Sequence, residues 1–203
     1  MRYAIAIVLL NVCAFSQTTE QPTEDLQAIA TEVGQSLYAN PGKRGIKPYT
    51  MPALRLVVID KAEFNAHAQT STQMIYLGAP LVQILKNDRG ELAFVIAHEL
   101  GHIQDSDCHE HGLIQGIRGT ALQRMCENNA DMIGLQYLMA AGYSPFDAAG
   151  AMGKLMLLSG SDTTITGIFL GRFLSDHPVD VDRIRHISEG VRVICGDRPE
   201  LCR

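Results

Sequence analysis

Apolar residues in this chain recur at helical spacing in some stretches and as short β-branched runs in others, with polar or Gly/Pro-rich breaks between. A first helix is predicted where Thr23 precedes Glu24 and Asp25, as an N-cap precedes acidic first-turn residues. Leu26, Ile29, Ala30, Val33 and Leu37 follow at spacings of three and four, up to Asn40-Pro41-Gly42. The run Leu-Arg-Leu-Val-Val-Ile over 54–59 and the run Gln-Met-Ile-Tyr-Leu over 73–77 predict two strands, with Asn65-Ala66-His67-Ala68 as a short third between them. Helices are then predicted over 79–85, 91–104, 120–141 with Gly142 as C-cap, 145–158 and 178–191. Residues 159–176 are rich in Gly, Ser and Thr but carry Ile165, Ile168, Phe169, Leu170, Phe173 and Leu174, the pattern of a partly apolar loop beside a cleft. The expected fold class is α+β, mainly helical with a small sheet.

The first residues change the reading of the whole chain. Met1-Arg2, an apolar run over 3–10, a polar break at Asn11 and the small-x-small triplet Ala14-Phe15-Ser16 form a signal peptide pattern over 1–16. The run is far shorter than the roughly 20 residues a membrane span needs, so the mature chain is expected to hold no transmembrane segment. A periplasmic or secreted protein is expected. Cys13, after Leu10-Asn11-Val12, gives the alternative of a lipoprotein attached to a membrane, although Val is a poor match for the small residue that usually precedes such a cysteine.

Residues 17–203 are expected to form a single domain, since a chain of 203 residues that is 46% hydrophobic can bury one sizeable core. A net charge of −5 without a long Lys/Arg run gives no footprint for nucleic acid. Without the leader, Cys108, Cys126, Cys195 and Cys202 remain, an even number suited to two disulfides in an oxidising compartment. Three pairings are open. The short Gly-Asp-Arg-Pro turn between Cys195 and Cys202 favours that pair, leaving Cys108 with Cys126.

The chemistry concentrates in Ala97-His98-Glu99-Leu100-Gly101-His102, an H-E-x-x-H run on a predicted helix. Residues four apart share a helix face, so both imidazoles can reach one zinc ion while Glu99 serves as general base. A third ligand is needed. Glu127-Asn128-Asn129-Ala130-Asp131 on the next long helix is the best source, with Glu127 as ligand and Asp131, one turn on, holding an imidazole N–H. The short run Asp107-Cys108-His109-Glu110-His111 also looks metal-like, but His109 and His111 read as solvated loop residues.

The order H-E-x-x-H, E-x-x-A-D, Ala140-Ala141-Gly142-Tyr143-Ser144-Pro145 and Asp176-His177-Pro178 with Arg183-Ile184 resembles the HtpX-like and CAAX-prenyl-protease-like gluzincin family over about 54–187. The resemblance implies a zincin-like endopeptidase domain with one Zn²⁺ per chain. His98, His102 and Glu127 would be its ligands and Glu99 its base, and an edge strand at Asn65, Ala66, His67 and Ala68 would hold substrate at the cleft. It also implies that His177 faces the site, as oxyanion stabiliser or as occupant of the fourth zinc position, and that Arg183 pairs with a site carboxylate. The membrane-embedded relatives have spans that this chain lacks, so prenylated-peptide processing is not expected. Unfolded or misassembled envelope proteins are the expected partners. A competing reading is a zinc-stabilised, chaperone-like or assembly factor whose own His177 caps the metal.

Overall fold

The computed structural model of the chain describes residues 22–39, 54–59, 65–105, 108, 121–160, 177 and 180–202. The expected leader over 1–16 with Cys13, His109, His111, residues 161–176 of the expected loop and the side chains at 23–25 lie outside the described residues. Helix α1 (Pro22–Ala39) buries Leu26, Ala30, Val33 and Leu37 on one face and stops two residues before Pro41, whose ring and missing N–H oppose helix.

Strands β1 (Arg55–Ile59), β2 (Ala66–Gln69) and β3 (Met74–Gly78) each begin one residue later than their sequence runs. For β3 the reason is local, because Gln73 has φ 53° and belongs to the turn after β2. The strand order is β1-β3-β2, with β1 parallel to β3 and β2 antiparallel to it. Both outer strands are therefore edges, but they differ. Gln27 of α1 lies along β1, donating from Nε2 to the Leu56 carbonyl (3.3 Å) and accepting from the Val58 N–H (2.7 Å), so a side-chain amide covers that edge.

Among the described residues five further helices follow: α2 (Ala79–Leu85), α3 (Arg89–Gln104), α4 (Ala121–Ala140), α5 (Phe146–Gly160) and α6 (Val181–Asp197), with a 3-10 turn at Pro199–Cys202. α4 ends as expected at Gly142, which has φ +90°. There Gly142 N–H reaches the Met139 carbonyl and Tyr143 N–H reaches Leu138, a Schellman closure that glycine accepts without strain. α6 departs from the expected 178–191. Asp180 caps it by accepting from the Arg183 N–H (2.8 Å), and Ile194 and Cys195 continue the face packed on the core, carrying the helix on to Asp197.

α3 is the central element, packed against α1, α4, α5 and β2. Leu92 through Ala97 are all buried, as expected of a helix enclosed on every side. Cys108 is bonded to Cys126 and Cys195 to Cys202, so both disulfides follow the pairing expected from the sequence. Among the described residues, no helix is long and apolar enough to cross a membrane.

Candidate metal centre

After its apolar stretch, α3 presents His98 and Glu99, both buried, and then His102 one turn later. Burying such groups is unfavourable unless partners satisfy them. α4 supplies partners for the two imidazoles from Glu127 and Asp131, which are also buried and lie one turn apart. His98 Nε2 is 3.1 Å from His102 Nε2 and 3.5 Å from Glu127 Oε2, and His102 Nε2 is 3.4 Å from Glu127 Oε1. His177, three residues before the α6 cap, brings its Nδ1 to 3.3 Å from both His98 Nε2 and Glu127 Oε2.

The outer partners of two imidazoles fix which nitrogen carries the proton. His98 Nδ1 is 2.8 Å from Asp131 Oδ1, and His177 Nε2 is 3.1 Å from the Ala66 carbonyl, so each donates outward. In the neutral rings this leaves His98 Nε2 and His177 Nδ1 as bare lone pairs, both aimed at the place where the Glu127 carboxylate and His102 Nε2 also converge. Acceptors converging without hydrogens between them call for a cation. A tetrahedral metal with bonds of 2.0–2.1 Å has donor–donor edges of roughly 3.3–3.4 Å, and the five separations here, taking Oε1 of Glu127 with His102 and Oε2 with His98 and His177, run from 3.1 to 3.5 Å. All four donor atoms lie within 4.8 Å of one another.

Charge points the same way. With neutral imidazoles, the carboxylates Glu99, Glu127 and Asp131 face one guanidinium, Arg183, leaving a formal double negative charge for a divalent ion to balance. Arg183 donates from Nε and Nη2 to the two oxygens of Asp131, at 2.7 Å each, and its Nη1 is 2.8 Å from Glu127 Oε2. Burial alone would lower the His98 pKa, but the hydrogen bond and charge of Asp131, with Glu127, push it up to about 9. Burial likewise opposes ionisation of Glu127, yet when the imidazoles are protonated and no metal is bound, the charge of His177 and hydrogen bonds from His102, His177 and His98 hold it well below the usual carboxylate range. Burial dominates at His102 and lowers its pKa. The pocket attracts positive charge, and a metal ion would supply it without protonating the ligands.

Glu99 sits beside the donors, fully buried, and neither of its carboxylate oxygens has a hydrogen-bond partner among the described residues. His177 Nε2 is 3.6 Å from Glu99 Oε1, too long for a hydrogen bond. The edge strand also meets this point. Gly78 N–H bonds to the Asn65 carbonyl, so by antiparallel alternation Asn65 and His67 turn their backbone groups toward β3, while Ala66 and Ala68 turn theirs outward. The His67 ring lies on the opposite sheet face from Ala66 and stacks on Tyr76, with centroids 4.8 Å apart.

Residues 31–121 and 113–191 match the model of peptidase family M48, together covering well over half of the chain. The chain belongs to peptidase family M48. No curated protein matches it. M48 members are metal-dependent peptidases, so metalloprotease chemistry on polypeptide substrates follows from the family, and the His98, His102, Glu127 and His177 cluster is where this member could bind the metal. The match agrees at family level with the gluzincin resemblance of its motifs.

Three features of the M48 centre escape sequence reasoning. Gly101 and Gly134 are the points where α3 and α4 touch backbone to backbone. A Cβ on Gly134 would lie 2.9 Å from His98 N, and one on Gly101 would lie 2.6 Å from the Ala130 carbonyl oxygen. The His177 contact with Ala66 joins residues 111 positions apart, which no local pattern encodes. Asp105, at the end of α3, accepts from Asn129 Nδ2 (3.0 Å) and from the Cys108 N–H (3.3 Å), tying the helix to α4. A helix-end acidic residue was the only signal for it.

Proposed function

We propose that this M48 member is a zinc-dependent endopeptidase in which His98, His102 and Glu127 hold the metal and Glu99 is the general base. The observation that carries the reading is the convergence of four donor groups within 4.8 Å of one another, beside a buried carboxylate with no hydrogen-bond partner among the described residues. When bound, zinc supplies Lewis acidity, polarising a peptide carbonyl and lowering the pKa of water to about 7. Glu99 takes a proton from the water that attacks the scissile carbonyl and delivers it to the leaving amine nitrogen. Asp131 keeps His98 in the tautomer that leaves Nε2 bare, and Arg183 steadies Asp131 and Glu127. The outward backbone groups of Ala66 and Ala68 hold an extended substrate as an added strand, the opposite edge of the sheet being covered by Gln27. An exported chain with two disulfides would meet unfolded or misassembled envelope proteins, and these are the substrates we propose.

A second reading has an observation of its own. His177 Nδ1 lies 3.3 Å from His98 Nε2 and its Nε2 is 3.1 Å from the Ala66 carbonyl, which supports a reading in which one side chain fills both the fourth metal position and part of the strand edge. Such a chain is self-capped and binds clients while cleaving them rarely. The deciding experiment compares casein degradation by the protein, Glu99→Gln and His177→Ala at matched zinc content. Loss of cleavage in Glu99→Gln, by about two to four orders of magnitude, is the expected result. A large gain in His177→Ala over a nearly inert parent favours the capped form. No cleavage by any of the three, with zinc bound, overturns the peptidase reading.

A further inference from the structure

The sheet has two unlike faces. Leu56, Val58, Ala66, Ala68, Ile75 and Leu77 belong to the core side. Alternation turns Val57, His67, Gln69, Met74 and Tyr76 the other way, away from the core. The strand register sets three of these in one row: Val57 on β1, Tyr76 on β3 and His67 on β2, the last at the free edge. Tyr76 is held in place from its hydroxyl, which donates to Gln69 Oε1 (3.3 Å), an atom that also accepts from Thr72 Oγ1 (2.9 Å). The His67 imidazole stacks on the Tyr76 ring, with planes 16° apart and centroids 4.8 Å apart. Neighbouring strands are spaced by about 4.7–4.9 Å, so the two rings stack in the direction in which one strand follows another. One face of the imidazole is therefore packed on Tyr76, and the other looks outward past β2, where a next strand would lie. His67 is exposed, so that outer face is open.

We infer that the His67 ring, backed by Tyr76, is a specificity platform for an aromatic side chain of the bound polypeptide. This rests on the proteolytic reading above, with substrate added as a strand along β2, and it names the substrate class. Whichever way the added strand runs, its side chains alternate between the two faces of the sheet, so every second one falls on the His67 side. The one abreast of His67 lies a single strand spacing away, and a flat ring there continues the stack that Tyr76 begins. Cross-strand aromatic pairs gain from offset stacking beyond their buried area. A Leu side chain offers the area without the π face. The platform also lies close to the chemistry, because the carbonyl of the adjacent Ala66 is 3.1 Å from His177 Nε2. With a rise of about 3.3 Å per residue, the selected side chain belongs to a residue within about two positions of the bond being cut.

The test maps the cuts made in denatured casein by mass spectrometry. One fixed position close to the cut should be enriched in Phe, Tyr and Trp. Peptides built on the most frequent cut, carrying Phe or Leu at that position, should differ in kcat/KM by about three- to tenfold in favour of Phe. His67→Ala should bring this ratio to about one, while His67→Phe should keep or raise it, which separates loss of the ring from damage to the strand. Tyr76→Leu, which removes the backing of the platform, should lower the ratio as well. Binding of the two peptides to the metal-loaded Glu99→Gln protein, read by fluorescence anisotropy, should favour Phe in the same way. Cuts with no aromatic position, equal cleavage of the Phe and Leu peptides, or a preference for Phe that survives His67→Ala overturns the platform alone. Absence of any cleavage by the zinc-loaded parent protein overturns the peptidase reading and the platform with it.

Discussion

His98 is held from two sides, by convergent donors at Nε2 and by Asp131 at Nδ1, and the second contact governs the first. If Nδ1 were not the protonated nitrogen, Nε2 would carry the hydrogen and could not act as a donor to a metal. Asp131 is kept ionised to do this. Burial alone would raise its pKa, but Arg183 and the His98 hydrogen bond lower it below the ordinary carboxylate value. Asp131→Asn should preserve the shape and remove the charge, weakening the hold on the tautomer. The expected outcome is a loss of about 10- to 100-fold in zinc affinity, measured by competition with a chromophoric chelator, with the helical circular dichroism of the apo protein retained. At this scale the sequence was most legible, because the i,i+4 rule pairs His98 with His102 and Glu127 with Asp131 from their spacing alone. Spacing could not say which imidazole Asp131 would choose, since that depends on how two helices cross.

That crossing is an element-scale property, and two glycines set it. Gly134 of α4 lies against the backbone of Ala97 and His98, and Gly101 of α3 lies against Ala130, so the contacts interlock between the ligands of the two helices. Gly134→Ala gains helix propensity of up to about 1 kcal/mol but forces a Cβ into backbone that has little room to yield, a strain of about 1–3 kcal/mol. The expected net result is destabilisation in urea, with zinc affinity reduced because His98 is pushed away from Glu127. Gly153→Ala on α5 is the matched control. Nothing lies within 4 Å of its Cβ position, and it should stabilise by about 0.4–1 kcal/mol with zinc affinity unchanged. Helices α1 to α5 were legible as periodic stretches because each buries a single face or, for α3, a continuous apolar run. The register of α6 was less so. Its first residue is decided by the Asp180 cap rather than by Pro178, and its last turns by packing of Ile194 and Cys195. The glycine contacts were invisible, since a glycine in a helix reads the same whether it faces solvent or a second backbone.

At the scale of the whole molecule, the centre is assembled from parts remote in sequence: α3, α4, the start of α6, His177 and the β2 edge. No local pattern brings these together, and what holds them is a shared core with two covalent ties. The Cys108–Cys126 bond spans 18 positions and ends at the residue before Glu127, and the Cys195–Cys202 bond spans 7 and secures the end of α6. Loop-closure entropy makes them worth about 3 and about 2 kcal/mol. Against a typical total of about 5–15 kcal/mol, their joint loss removes a third or more of the stability of an average domain. Cys108→Ser with Cys126→Ser should therefore lower the urea midpoint more than Cys195→Ser with Cys202→Ser. Only the first pair should also weaken zinc binding, because it loosens the chain on which Glu127 is mounted. Equal effects of the two pairs on zinc affinity would mean that the metal centre is held by the core alone. If the first pair alone weakens it, closure of the Cys108–Cys126 bond becomes a condition of the chemistry as well as of the fold.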